Sequence, residues 1–284
     1  MLNKLGNMHN FIGCDAEYDA ASIVIFGAPY DSTTSNRPGA RFGPGAMRTD
    51  SQGLETYSPY QDLDLEDCAV YDAGDLSLSF GRPQPVLELI EATTAEIITA
   101  GKIPVMLGGE HLVTLGAVRA IVQRYPNLHI IHLDAHTDLR QDYMGETLSH
   151  ATVLRRCHDI LDDGKIFQFG IRSGLKEEFE WAKTHTKLEK FGLSGFSDAI
   201  AAIGDAPVYF TLDLDVIDPS AFPGTGTPEA GGISFLTLLE AIMQLKQLNI
   251  VGCDIVELAP NLDTSGISTA LACKILRELL LAIQ

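Results

Sequence analysis

The segment LHIIHLDAHTD at residues 128–138 joins a short apolar run to a group of acidic and histidine side chains. A run of this kind predicts a strand that is covered on both faces, as in a parallel sheet. Six further runs also predict strands, at residues 22–27, 68–72, 103–107, 165–169, 207–212 and 249–256.

Helical patterns alternate with these runs. The pattern at 85–100 begins with proline, which suits a first helical turn, and stops before a glycine. The pattern at 234–248 opens with a capping-type serine and carries leucine and isoleucine at spacings of three and four. Two more helices are predicted at 112–125 and 267–283. The alternation predicts a three-layer α/β domain with a mostly parallel sheet.

The composition narrows the class of protein. The chain has 284 residues, which suits one large domain that needs no disulfides. Its 38 acidic and 20 basic residues give a net charge of -18. This charge argues against binding nucleic acid or an anionic membrane surface, because both require a basic face.

The cysteines and the apolar runs indicate a soluble protein of the cytoplasm. The five cysteines include no Cys-x-x-Cys pair, so neither a disulfide framework nor a thiolate zinc site is indicated. Free thiols are typical of a reducing compartment. The N-terminus has no apolar core of signal-peptide length, and no run of about 18 apolar residues would span a membrane.

Two loops, at residues 37–44 and 219–232, are rich in glycine and proline. Long loops inside a compact domain are usually functional unless they are disordered. The prolines favour a fixed shape, so we expect functional roles for both loops.

Acidic and histidine residues follow several predicted strands. In open α/β sheets, ligands bind beyond the carboxyl ends of the strands. The candidate metal ligands at those ends are His111, Asp134, His136, Asp138, Asp213 and Asp215. In an extended chain, residues two apart point to the same side, so Asp134 and His136 form one pair and Asp213 and Asp215 another.

The charge of this group predicts two metal ions. Four crowded carboxylates must either be partly protonated or be neutralised by cations, and two divalent cations balance four negative charges. Oxygen-rich sites with some imidazole and no thiolate suit Mn²⁺, although Co²⁺, Fe²⁺ or Ni²⁺ could also bind. A water molecule bridging the two ions would become a hydroxide nucleophile near neutral pH.

Each motif also has a purely structural interpretation. A single Asp-x-Asp at a strand end is more often a turn or a helix cap than a metal site. Several such motifs together favour the metal site. Other histidines lie outside the acidic group, and we expect His129 and His132 to be core or edge residues and His9, His158 and His185 to be surface residues.

Two further residues are candidates for catalysis. His150 follows the metal motif by about a dozen residues and could move protons, since the ordinary pKa of histidine is near neutral. Glu257 ends the last predicted strand, where an extra carboxylate would suit a cationic substrate that donates hydrogen bonds. Alone, Glu257 could equally be a salt-bridge partner.

These motifs in this order resemble the ureohydrolase (arginase/agmatinase) family. The resemblance runs from about residue 22 to the C-terminus. It rests on Gly109-Glu110-His111, Asp134-Ala135-His136-Thr137-Asp138, Ser149-His150, Asp213-Leu214-Asp215-Val216-Ile217-Asp218-Pro219 and Glu257. It is strengthened by Gly27-Ala28-Pro29-Tyr30-Asp31 and by Gly39-Ala40-Arg41-Phe42-Gly43-Pro44. It implies one ureohydrolase domain over residues 1–284, in which residues 1–21 are an N-terminal extension.

The resemblance implies an arginase-like α/β/α sandwich with a mostly parallel eight-stranded sheet, two Mn²⁺ ions and hydrolysis of a guanidino compound to urea and an amine. It also implies trimers or hexamers. One ion would take His111, Asp134, Asp138 and Asp213, and the other Asp134, His136, Asp213 and Asp215. Asp138 would accept a proton, His150 would act as a proton shuttle, and Glu257 would bind the guanidinium group together with His150.

The substrate is predicted from the stretch LRQDYMGETLS at residues 139–149, which resembles agmatinases more than arginases. Agmatine is therefore the first choice. Arginine, guanidinobutyrate and formiminoglutamate are alternatives with the same chemistry. A metal-dependent deacetylase and a non-catalytic metal-binding protein are more distant alternatives.

Overall fold

An eight-stranded parallel sheet forms the centre of the computed structural model, which describes residues 9–284. The strands are β1 (Ile23–Ala28), β2 (Tyr57–Ser58), β3 (Leu63–Asp64), β4 (Val70–Asp75), β5 (Ile103–Gly108), β6 (His129–Leu133), β7 (Ile166–Ile171), β8 (Lys187–Lys190), β9 (Pro207–Asp213) and β10 (Asn249–Val256). Their order in the sheet is β4-β1-β5-β10-β9-β6-β7-β8, and every neighbouring pair is parallel. The short strands β2 and β3 form a separate antiparallel pair.

Helices cover both faces of the sheet. They are α1 (Gly43–Ser51), α2 (Pro83–Thr99), α3 (Thr114–Arg124), α4 (Val153–His158), α5 (Lys176–His185), α6 (Phe196–Ile203), α7 (Phe235–Gln244) and α8 (Ile267–Ile283). One hydrophobic cluster includes residues of α1, α6, α7 and α8, and a second includes residues of α2, α3, α4 and α5. The predicted three-layer α/β/α architecture is therefore confirmed.

Successive side chains of a strand point to opposite faces of the sheet, so the strands of the sheet contribute to both hydrophobic clusters. In β9, Val208 and Phe210 pack into the first cluster, whereas Tyr209 between them packs into the second. Because both faces are covered, a strand of this sheet is apolar at nearly every position. This explains why the apolar runs in the sequence predict the strands so well.

All seven predicted strands are present, with ends that differ by up to three residues. The predicted helix at 112–125 consists of a 3₁₀ turn over His111–Val113 followed by α3. The sequence does not predict α1, α5, α6 or β8. Helix α5 buries only Glu178 and Ala182, and β8 is a four-residue edge strand with two exposed lysines, so neither has a clear apolar pattern.

The described part of the predicted N-terminal extension packs against the domain. Phe11 is completely buried, and its backbone N–H donates a hydrogen bond to Asp72 at 2.8 Å. Residues 1–8 of that extension lie outside the described residues. All five cysteines are buried and unpaired. Within residues 9–284, no helix is both long enough and apolar enough to cross a membrane.

Candidate metal centre

The predicted metal ligands meet at the carboxyl ends of β5, β10, β9 and β6, which are neighbours at the centre of the sheet. His111 follows β5, Glu257 follows β10, Asp213 ends β9 and Asp134 follows β6. Since parallel strands end at the same edge, residues far apart in the sequence come together there.

One group of side chains surrounds His111. Its Nδ1 atom lies 3.1 Å from Asp134 Oδ2, 3.2 Å from Asp138 Oδ2 and 3.4 Å from Asp213 Oδ2. The histidine and the three aspartates are all buried. Four potential ligand side chains therefore converge within the reach of one cation.

A second group surrounds His136. Its Nδ1 atom lies 3.0 Å from Asp215 Oδ2 and 3.4 Å from Asp134 Oδ1. Asp134 thus contacts both histidines, with one carboxylate oxygen directed to each. Asp134, His136 and Asp215 offer ligand atoms within 4.8 Å of one another. The arrangement has the form of two adjacent cation sites that share a carboxylate.

Asp213 and Asp215 reach the centre through a local turn and not through extended alternation. Strand β9 ends at Asp213, and residues Leu214–Val216 form a 3₁₀ turn. The Asp213 side chain caps this turn by accepting a hydrogen bond from the Asp215 backbone N–H at 2.8 Å. The expected alternation was wrong at this point, because a short-chain aspartate readily caps a turn.

Two residues of the centre have left-handed backbone conformations. The φ angle is 51° at Asp138 and 65° at Glu257. Such conformations are unfavourable for residues other than glycine and tend to cluster at functional sites. Backbone hydrogen bonds hold both in place: the Asp138 carbonyl accepts from Leu154 and Arg155, and the Glu257 N–H donates to Gly109.

Two of the buried carboxyl groups, those of Asp138 and Glu257, resist ionisation. Burial raises the pKa of Asp138 to about 7, and the charge of Asp134 adds to this effect. Burial also raises the pKa of Glu257 to about 8, assisted by the charge of Glu110. Burial opposes the charged form of His111, but the three carboxylates around it raise its pKa well above the ordinary value. Bound cations would relieve this crowding of negative charge.

The proton positions on His111 suit a metal ligand. Within residues 9–284, the buried Nδ1 atom has no hydrogen bond of suitable geometry, although three carboxylates surround it. The other nitrogen, Nε2, lies 2.9 Å from Thr211 Oγ1, which donates its own proton to Asp254 Oδ1 at 2.6 Å. Nε2 therefore carries the proton, and Nδ1 offers its lone pair to a cation. This donor set fits a divalent metal ion.

His132 also lies beside Asp134, with Nε2 at 2.8 Å from Asp134 Oδ2. Its Nδ1 atom accepts a hydrogen bond from the Gln168 amide at 3.1 Å. The same amide donates to the Thr137 carbonyl, which fixes its orientation. Nε2 of His132 therefore carries a proton and donates to Asp134. Burial lowers the pKa of His132, so it acts as a neutral hydrogen-bond donor in the core.

A cavity of about 250 Å³ opens from the metal centre and is lined by both candidate catalytic residues, His150 and Glu257. Glu257 Oε1 accepts a hydrogen bond from the His111 backbone N–H at 2.8 Å. The His150 ring lies 3.2 Å from Ser35 Oγ through Nε2 and 3.2 Å from Ser149 Oγ through Nδ1. Burial lowers the pKa of His150 to about 4.

Several residues of this cavity are not found by sequence reasoning. Arg140 and Tyr143 line the cavity, with the Arg140 guanidinium carbon 4.4 Å from the centroid of the Tyr143 ring. Glu178 accepts hydrogen bonds from Thr137 Oγ1 at 2.6 Å and from the Leu139 N–H at 3.0 Å, on either side of Asp138. It thereby fixes the segment that carries a predicted ligand. No local sequence pattern marks it, because these contacts span about 40 residues.

The chain is similar to known proteins over almost its full length. The arginase family model matches residues 21–282. An agmatinase of Bacillus anthracis is 47% identical over 275 residues, which cover 95% of each chain. A guanidinobutyrase of Pseudomonas aeruginosa is 33% identical, with 93% of this chain and 87% of that protein covered. The crystal structure of agmatine ureohydrolase of Thermoplasma volcanium superimposes with a TM-score of 0.88 at 33% identity, covering 98% of this chain and 95% of that one.

Proposed function

We propose that this chain, which belongs to the arginase family, converts agmatine and water to putrescine and urea. Its relationship to several bacterial agmatinases identifies it as an agmatinase-type ureohydrolase. The single observation that carries the proposal is the position of Glu257, a buried carboxylate that lines the same cavity as the convergent metal ligands. An additional acid beside a proposed cation site suits a substrate with a positive charge.

The proposed cofactor is a pair of Mn²⁺ ions. His111, Asp134, Asp138 and Asp213 would hold one ion, and Asp134, His136, Asp213 and Asp215 the other. When bound, such ions supply Lewis acidity and lower the pKa of a water molecule toward 7. The contacts of Asp134 with both histidines support shared ligation by this residue. The oxygen-rich ligand set supports manganese over zinc.

Glu257 would hold the guanidinium group. Its Oε1 atom accepts a hydrogen bond from the His111 backbone N–H, and this bond fixes the position of the side chain. Among the described residues, Oε2 has no hydrogen bond, so it can accept one from a guanidinium N–H. A charge-assisted bond of this kind both binds the substrate and sets the orientation of its carbon atom.

Asp138 and His150 would carry out the proton transfers of the reaction. Asp138 is suited to take a proton from the attacking water, since its carboxylate lies at the proposed metal centre and lines the cavity. His150 lies on the cavity wall between two serine hydroxyl groups, and it would help to protonate the leaving amine. We assign His150 to both proton transfer and substrate binding.

A panel of guanidino compounds tests the substrate. Metal-free protein is reconstituted with Mn²⁺, and urea release is measured with agmatine, arginine, guanidinobutyrate and formiminoglutamate. We expect the highest kcat/KM with agmatine. Guanidinobutyrate is the second candidate, because the Arg140 guanidinium lines the cavity and could pair with a carboxylate tail. A higher kcat/KM for guanidinobutyrate would replace agmatine as the substrate, and a failure to release urea from any compound would refute the function.

The remaining predictions concern the whole protein. We propose assembly into trimers or hexamers and a cytoplasmic location, both of which rest on the family resemblance and on the sequence composition. We also propose that residues 1–284 form a single domain. Light scattering of the purified protein measures the assembly, and a monomer at micromolar concentration would contradict it.

A further inference from the structure

Glu110 is a buried acid that neither the proposed metal centre nor the proposed substrate site uses. It lies between β5 and His111 and is completely shielded from solvent. Its carboxylate accepts three hydrogen bonds from the loop that follows β1. Thr33 donates through its backbone N–H at 2.8 Å and through Oγ1 at 2.5 Å, and Thr34 donates through Oγ1 at 3.2 Å.

Thr33 connects this acid to His150. The Thr33 hydroxyl group has one proton, which it donates to Glu110. Its oxygen therefore faces the His150 backbone N–H as an acceptor, at 3.0 Å. Two residues further along the same loop, Ser35 Oγ lies 3.2 Å from His150 Nε2. The loop thus contacts both the backbone and the ring of His150.

We propose that Glu110 is a positioning residue that acts through Thr33 to hold His150 against the substrate cavity. This inference rests on the proposed function, in which His150 handles a proton. Both oxygens of the Glu110 side chain act as acceptors: Oε1 accepts from Thr33 Oγ1, and Oε2 accepts from the Thr33 N–H and from Thr34 Oγ1. A glutamine at this position would turn an amide N–H₂ toward one of the threonine donors and would release part of the loop.

Backbone and side-chain hydrogen bonds also fix the loop that follows β1 on both sides of its contacts with Glu110. Tyr30 at the start of the loop accepts a hydrogen bond from the Glu110 N–H at 2.7 Å. Beyond Thr34, Asn36 and Arg37 donate to the carbonyl of Gly226. Between these fixed points, the loop is held by its hydrogen bonds to Glu110. Loss of the Glu110 acceptors would therefore free Thr33 and with it the backbone contact to His150.

The test uses the Mn²⁺-loaded enzyme with agmatine. Thr33→Val keeps the shape of the side chain and removes its hydroxyl group, whereas Thr33→Ser retains the hydroxyl. We expect Thr33→Val and Glu110→Gln to lower kcat by about tenfold, with unchanged metal content and KM within about threefold, because small misplacements of a proton-handling group reduce the rate. Thr33→Ser should restore most of the activity. Thr34→Val is the matched control, since Thr34 contacts Glu110 but not His150, and its loss should be below about threefold.

A double-mutant cycle shows whether the effect passes through His150. In a His150→Asn background, we expect Thr33→Val to reduce kcat by less than about twofold further, because coupled residues are not additive. The same tenfold loss in both backgrounds would overturn the positioning role. So would equal losses for Thr34→Val and Thr33→Val.

Hydrogen exchange of the His150 backbone amide gives a readout that does not require activity. We expect faster exchange in Thr33→Val and Glu110→Gln and little change in Thr34→Val. Unchanged exchange in Thr33→Val would refute the contact on which the inference depends. A wild-type enzyme that releases no urea would instead refute the proposed function, so the two failures are distinguishable.

Discussion

Thr211 Oγ1 lies 2.9 Å from His111 Nε2, and this contact leaves Nδ1 as the imidazole nitrogen that faces the proposed metal centre. Thr211 in turn donates to Asp254, which also accepts hydrogen bonds from Thr114 Oγ1 at 2.8 Å and from Tyr209 Oη at 2.6 Å. A buried network of hydroxyl groups therefore fixes the proton on His111 before any ion binds. Groups that orient a metal ligand in this way also tune metal affinity.

The first prediction concerns a variant that lacks the Thr211 hydroxyl group and so loses the orientation of His111. Thr211→Val keeps the side-chain shape but cannot accept the proton of His111 Nε2. We expect Mn²⁺ affinity to fall by about 10- to 100-fold, as measured by competition with a fluorescent chelator. Thr211→Ser retains the hydroxyl and should bind metal almost as the wild type does. Equal affinity for the valine variant would show that the network does not orient His111.

The second prediction separates substrate binding from metal binding at Glu257. Glu257→Gln keeps an oxygen that can accept the His111 N–H but removes the charge. Metal content should persist, while kcat/KM for agmatine should fall by up to about 100-fold, because hydrogen bonds to charged groups contribute about 1.5–3 kcal/mol. Exposed Glu240 on α7 provides the control variant Glu240→Gln, which should stay within about twofold of wild type. Unchanged turnover in Glu257→Gln would remove its assigned role.

The third prediction concerns the close approach of two chain segments beside the site. A Cβ atom on Gly109 would lie 1.8 Å from the Tyr30 carbonyl oxygen, which is part of the backbone. Gly109→Ala should therefore lower the free energy of unfolding by at least about 3 kcal/mol in urea titrations. Gly45 in α1 has open space around it, and Gly45→Ala should raise stability by about 0.5–1 kcal/mol. Similar stabilities for the two variants would contradict the described packing.

The fourth prediction follows from the lowered pKa of His150. The folded protein protonates this residue only near pH 4, because burial disfavours its charge, whereas the unfolded chain protonates it near its ordinary pKa of 6.5. The unfolded state thus binds more protons between these values, so His150 makes the protein less stable as the pH falls from about 6.5 to about 4.

Urea unfolding of the metal-free protein at pH 7 and pH 5 measures this effect. The free energy of unfolding should fall more for the wild type than for His150→Asn over this interval. Other titrating groups are shared by both proteins and largely cancel in the comparison. An identical decrease for both proteins would mean that burial does not disfavour the charged form of His150.

Residues that directly follow buried strands could be placed from the sequence. Asp134 and Glu257 come immediately after apolar runs, and parallel strands must end at one edge, so their proximity follows from the fold alone. The extended geometry assumed for Asp213 and Asp215 was wrong, yet both reach the site, because the turn that replaces it begins at the same strand end.

Residues that act from loops could not be placed. Thr33 donates a hydrogen bond to Glu110, which lies 77 residues later in the sequence. No periodic pattern marks either residue as part of a hydrogen-bond network. Glu178 lies in a polar surface helix, where a single buried acid resembles its exposed neighbours. Strand β8 has the sequence KLEK and gains its structure only by pairing with β7. These features depend on tertiary contacts that a local pattern does not encode.

A titration of metal-free protein with Mn²⁺, followed by measurement of urea release from agmatine, shows whether the reaction depends on two cations that share Asp134. We predict that activity rises with each equivalent and reaches its maximum at two ions per chain. Full activity at one equivalent, or the absence of urea at saturating metal, would contradict a two-cation ureohydrolase.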